Sequence, residues 1–208
     1  MKTFKIVLAT LVVSGLVAGA TGAGIIYSGV YNVGADNHHL DATYWVLNQA
    51  RKRSVAAHSA DIQAPELGGH DQLVEGAAHF SEMCTGCHVP PGGQMSEAAQ
   101  GMYPQPANLA ESGEEMPPRQ IFWTLEHGIK ASGMPAWGES DGPEALWALT
   151  ALIKAFPDMN GAQYQALVNE AKAKGIGEDE HSHGSHGDEH KPGSNHSEST
   201  ENTEGHHA

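Results

Sequence analysis

The chain has 208 residues, with 11 Lys and Arg against 25 Asp and Glu, for a formal charge of −14 at pH 7. That acidity excludes a nucleic-acid partner, whose phosphates would repel it, and suits a body that meets basic patches on other proteins. Cysteine occurs only twice, at positions 84 and 87, too few for a fold stapled by disulfides.

Lys2 and Lys5 precede an uncharged run from Ile6 to Ala35. About 20 apolar residues cross a bilayer as a helix, so residues 1–35 are expected to be an N-terminal membrane anchor. The two lysines then hold the N-terminus on the cytoplasmic side. The alternative is a signal peptide cleaved after Ala18-Gly19-Ala20, but the apolar run continues well beyond that site. An anchor predicts a single-pass protein of the bacterial inner membrane with its body in the periplasm. Cleavage predicts a soluble periplasmic one.

Residues 36–69 are expected to be a periplasmic helical linker. Gly34, Asp36 and Asn37 form a turn. Residues 41–63 lack Gly and Pro and predict a helix with Asp41 as its N-cap. Its apolar residues, Trp45, Val46, Leu47, Val55 and Ile62, are sparse, which places it half-exposed or near the membrane. Arg51, Lys52 and Arg53 read as a solvated face, with docking or contact to lipid headgroups as the other reading.

Pro65, Gly68 and Gly69 mark the next boundary. Residues 70–175 form a block long enough to bury one core. Helices are predicted at Asp71–Met83, at Pro118–Gly128 with Gly128 as the stop, at Pro143–Phe156 with Pro157 just beyond, and at Gln163–Lys174. Residues 89–116 and 133–142 are rich in Gly and Pro and predict loops. No strand alternation is present, so the fold class is all-α. Few helices joined by long loops make a poor core alone, so a large apolar group should fill the middle.

Residues 176–208 are expected to be a disordered, acidic, His-rich tail. From Glu178 onward there is no Val, Ile, Leu, Met, Phe, Trp, Tyr or Cys. His181, His183, His186 and His190 are spaced for loose binding of copper, nickel or zinc. A pH-responsive or solubilising role is the other reading. His38, His39, His58, His70, His79 and His127 read as surface or loop residues.

Residues 84–88 read C-T-G-C-H. A disulfide between residues three apart gains little chain entropy. A thioredoxin-like pair needs a βαβ setting, which is lacking. Zinc needs further ligands at finger-like spacing. A covalent haem uses all the chemistry present: two thiols spaced to add to the vinyl groups, and an adjacent histidine beneath the iron. Cys84, Cys87 and His88 are therefore candidates to bind one haem c, with His88 as an axial ligand. For the opposite ligand Met134 stands out in G-M-P-A-W-G, residues 133–138, where Gly and Pro lift a thioether from a rigid loop. Met95, Met102 and Met116 are the other loop candidates, whereas Met83 and Met159 read as packing residues. Pro90 or Gly92, with Pro90 preferred, is expected to offer a carbonyl to the His88 Nδ1–H.

With Cys84-Thr85-Gly86-Cys87-His88, Gly133-Met134-Pro135, Gly76 and Phe80, residues 70–157 resemble the class I cytochromes c. Residues 1–157 also resemble membrane-anchored bacterial monohaem cytochromes c. The resemblance implies the cytochrome c fold, a few helices and long loops around one covalent haem. It implies that Gly76 and Phe80 let their helix cross the C-terminal helix closely, opposite Trp147, Leu149 and Ile153. Residues 103–109 resemble the loop at the haem edge, and residues 121–128 the middle helix. Trp123, Trp137 or Tyr103 then becomes a candidate donor to a haem propionate.

The expected function is an electron carrier rather than an enzyme acting alone, either free or as a subunit of a larger oxidoreductase complex. Its expected partners are redox proteins with basic docking faces. A haem-based gas or redox sensor, and a metal-homeostasis protein using its tail, are the alternatives.

Overall fold

The computed structural model describes residues 2–177, which contain helices and no strands. The His-rich tail lies outside the described residues, so its proposed metal histidines have no structural counterpart. α1 spans Lys2–Ser28, and none of its residues is buried. It is long and apolar enough to cross a membrane.

α2 spans Asp41–His58 and is shorter than the composition predicts. Leu40, not Asp41, is the N-cap, and no side chain caps this end. Asp41 instead sits in the first turn, where its charge favours the positive end of the helix dipole.

α3 covers His70–His79 and widens into a π-helical turn at Phe80–Cys84. Two short helices interrupt the predicted loop at 89–116: α4 at Glu97–Gln100 and α5 at Leu109–Glu115. The loop expectation missed them, although each start carries a capping residue. Ser96 Oγ accepts from Ala99 N–H, and the Asn108 side chain accepts from Ala110 N–H. Such caps satisfy amides that a helix start leaves without partners.

α6 spans Pro118–His127 with Pro in its first turn, and Gly128 stops it at φ +62°. α7 runs Pro143–Ala155 and α8 runs Gly161–Ala173. α8 opens with a capping box in which Asn160 and Gln163 satisfy each other's backbone amides, two residues earlier than the composition predicts.

The core lies where α3 crosses α7. A Cβ on Gly76 would fall 2.3 Å from the Ala148 carbonyl oxygen and 3.0 Å from Leu152 Cβ. The crossing partners are therefore Ala148 and Leu152, not Trp147. Trp147 turns to α6 and stacks on Phe122 at 4.1 Å. Leu149 and Ile153 are buried on neighbouring faces of α7. Phe80 meets Phe156 and Tyr164 edge-on at 5.0 and 6.0 Å, the geometry the aromatic quadrupole prefers. A second close contact was not read from the sequence: a Cβ on Gly113 would fall 2.1 Å from the Ile153 carbonyl oxygen. Lys154 Nζ reaches back to donate to the Gly113 and Met116 carbonyls, locking α5 to α7.

Candidate haem site

The site begins at the end of the π-helical turn. Cys84 O accepts from Cys87 N–H at 3.0 Å and from His88 N–H at 2.7 Å. Positions 84, 87 and 88 thus follow one helical turn, the spacing that puts three side chains on one face. Both thiols are free, with Cys84 buried and Cys87 half-buried. Burial first, then the nearby Asp141 and Cys87 charges, push the Cys84 thiol up to about 12. It stays protonated at neutral pH, which does not suit a redox or zinc thiolate. Among the described residues, no three His, Cys, Asp or Glu side chains gather to hold a metal ion.

His88 is the polar centre. Its Nδ1 lies 3.0 Å from the Ala107 carbonyl oxygen. That contact fixes the tautomer with hydrogen on Nδ1 and leaves the Nε2 lone pair free. Burial lowers the imidazole pKa, and the Ala107 bond opposes this. The ring is therefore neutral at pH 7, the form that ligates iron. The carbonyl comes from Ala107 and not from Pro90 or Gly92. The loop after His88 turns away: Gly93 N–H donates to Pro90 O, and Pro91 and Gly92 abut Gly161 at the start of α8.

Met134 is half-buried against the core. Its backbone is held from both sides: its N–H donates to Ser132 Oγ, and its carbonyl accepts from Ile129 N–H. A Cβ on Gly128 would fall 2.5 Å from Pro135 C and 2.7 Å from Met134 O. Gly128 is thus needed twice, for its positive φ and for room beside this loop.

A protein-family model described as cytochrome c oxidase, cbb3-type, subunit III matches residues 71–153. The match supports a c-type cytochrome domain over those residues. Comparisons with curated proteins and with solved structures return no match.

The matched stretch runs from the first turn of α3 to near the end of α7. Haem is the group such a domain carries, and the residues present fit it. Two thiols and a neutral imidazole share one turn, and among the described residues no competing ligand set surrounds them. α8 lies outside the match but belongs to the same core. Tyr164 and Leu167 pack with Phe80 and Cys84 in one cluster.

Other candidates are placed differently. Met102 is half-buried, and a Cβ on Gly133 would fall 2.3 Å from its Cε, so it touches the Met134 loop. Tyr103 is engaged by the linker: its ring stacks on His38 at 4.4 Å, and its hydroxyl accepts from His39 N–H at 3.2 Å. Trp123 packs between His58 and His127. Trp137 is half-buried against the core.

Two features of the site were missed in the sequence. His79, read as a surface residue, is 5% exposed, and its Nδ1 lies 4.0 Å from Asp141. The Tyr164 hydroxyl is buried with no hydrogen-bond partner among the described residues. Burial and the neighbouring Cys84 push it up to about 12. Both depend on contacts between distant segments, 62 residues apart for His79 and Asp141 and 80 for Tyr164 and Cys84, which no local pattern reports.

Proposed function

We propose that the cytochrome carries one haem c through thioether bonds from Cys84 and Cys87, with His88 and Met134 as axial ligands. It moves single electrons between membrane-associated partners on the periplasmic face, α1 being a retained anchor. Haem supplies one Fe(II)/Fe(III) couple. The chain supplies position and a dry setting. The observation that carries this reading is the His88 imidazole, oriented by the Ala107 carbonyl and kept neutral by burial beside both thiols.

The remaining residues serve stability of the site rather than substrate chemistry. Cys84 and Cys87 would fix the group at the end of the π-helical turn that continues α3. Ser132, Ile129 and Gly128 pin the Met134 loop, which supports a thioether kept in both oxidation states. His/Met ligation raises the potential relative to two histidines. A filled coordination sphere favours electron transfer over gas binding.

Carbon monoxide difference spectra of the reduced protein test this. The wild type should bind little carbon monoxide and show the weak long-wavelength Met–iron band when oxidised. Met134→Ala should lose the band and gain carbon monoxide binding, and Met102→Ala should change neither. Ready carbon monoxide binding by the wild type would favour a gas sensor. Loss of the band in Met102→Ala would move the ligand to Met102. The tail histidines are proposed as a loose site for copper, nickel or zinc. Equilibrium dialysis should show tighter uptake by the full chain than by one ending at Gly177.

A further inference from the structure

We infer that the first turns of α2 are a seat on the lipid bilayer surface, which holds the haem domain at a fixed height and orientation. This rests on α1 being a retained anchor.

The argument starts from where α2 begins. α1 ends at Ser28. Three residues later, the Tyr31 hydroxyl lies 2.7 Å from His39 Nδ1, and α2 starts at Asp41. The link between the two helices is folded back on itself, not extended. The N-terminus of α2 therefore sits beside the point where the chain leaves the bilayer.

α2 has no apolar stripe along its length. Its polarity changes along its axis instead. Tyr44, Trp45, Val46 and Leu47 are four consecutive apolar residues, so they wrap a full turn. All are exposed, Trp45 by 63% and Val46 by 55%, and Leu40 before them by 75%. Arg51, Lys52 and Arg53, also exposed, cover more than half of the helix circumference about 10 Å further along, at 1.5 Å per residue. An apolar turn with Trp and Tyr, followed by a cationic band one step further out, matches the order of layers at a bilayer surface. Aromatic residues sit at the interface and cations meet the phosphates. A purely solvated helix explains the arginines and the lysine but leaves four adjacent apolar side chains in water.

Charge selects the lipid surface over a protein socket. Residues 70–177 carry five Lys and Arg against thirteen Asp and Glu, so an anionic leaflet repels the haem domain. The band on α2 is the only cluster of three consecutive basic residues in the chain, and it lies next to the anchor.

The far end of α2 grips the domain. Val55 and Ser59 are buried, and the His58 ring lies 5.7 Å from Trp123 on α6. Near the other end, His38 and His39 hold Tyr103, four residues before the carbonyl that orients His88. A seat at one end of α2 thus fixes the haem domain above the membrane.

The test uses the full haem-loaded chain in vesicles of phosphatidylcholine doped with phosphatidylglycerol and a trace of diazirine phospholipid. Adducts are mapped by peptide mass spectrometry. Labelling is expected on α1 and also on residues 44–47. The triple reversal Arg51→Glu, Lys52→Glu, Arg53→Glu should cut the α2 adducts severalfold while α1 adducts and the haem spectrum stay unchanged. Omitting phosphatidylglycerol should have the same effect. Labelling of α1 alone would overturn the seat and leave the anchor standing. So would α2 labelling indifferent to both lipid charge and the triple reversal. Absence of α1 labelling would overturn the anchor, and the seat with it, without touching the electron-transfer reading.

Discussion

At Gly76 one hydrogen atom decides whether two helices can meet. A methyl group there would sit 2.3 Å from the Ala148 carbonyl oxygen, and a backbone atom inside α7 cannot move aside cheaply. Gly76→Ala is expected to cost about 1–3 kcal/mol, the range for overpacking a filled core, read as a lowered midpoint in guanidinium unfolding. An unchanged midpoint would mean that the helices tolerate separation. Tyr164 presents the opposite problem, an atom with too little around it. A buried hydroxyl without a partner costs about 1–3 kcal/mol. Tyr164→Phe keeps the ring against Phe80 and removes that atom, so it should raise stability by about 1 kcal/mol. A loss of stability in the same unfolding assay would show that the hydroxyl has a partner. Gly76 was legible because it stands four residues before Phe80 and eight before Cys84. Its partners were not, because one turn of α7 offers several side chains and only the crossing selects Ala148 and Leu152.

Helix α8 shows how an element outside the recognised domain supports it. Its C-terminal end is tied to the start of α3: Lys174 Nζ lies 3.1 Å from Asp71 and 3.0 Å from Glu170, and His70 Nε2 lies 3.0 Å from Glu170. Hydrogen bonds from Lys174 and then His70 hold Glu170 below its ordinary value. The folded state therefore favours the carboxylate. Its contribution is complete above the ordinary carboxylate range and is lost as pH falls through the lowered value. Lys174 shifts upward, chiefly through its bonds to Glu170 and Asp71. Its contribution is complete below the ordinary lysine value and is lost as pH rises through the raised one. Glu170→Gln should slightly lower Tm near neutral pH and leave it unchanged in strong acid, where the native side chain is also neutral. An equal Tm at both would remove the latch. Proline and glycine boundaries made α6 and α7 readable to within a residue or two. The short α4 and α5 were obscured by the Gly and Pro around them, although Ser96 and Asn108 carried their cap signals. The His88 acceptor failed for a different reason. Proximity in sequence pointed to Pro90, whereas the chain brings Ala107 back from 19 residues away.

For the whole molecule, charge and attachment act together. The acidic domain would meet basic partners, and surface electrostatics reach only about 8 Å at physiological salt. Electron exchange with such partners should therefore slow steadily as salt is added in stopped-flow measurements. A rate indifferent to ionic strength would rule out that mode of docking. The haem expectation rests on five adjacent residues. The packing of the linker on Tyr103 and Trp123 was not, since it joins segments that only the fold brings together. Every functional statement returns to the two thiols at 84 and 87. The intact mass of the protein matured in a host that exports and assembles c-type cytochromes tests them directly. The polypeptide plus one haem, surviving denaturation in acid, is the predicted mass. The mass of the bare polypeptide would contradict the account.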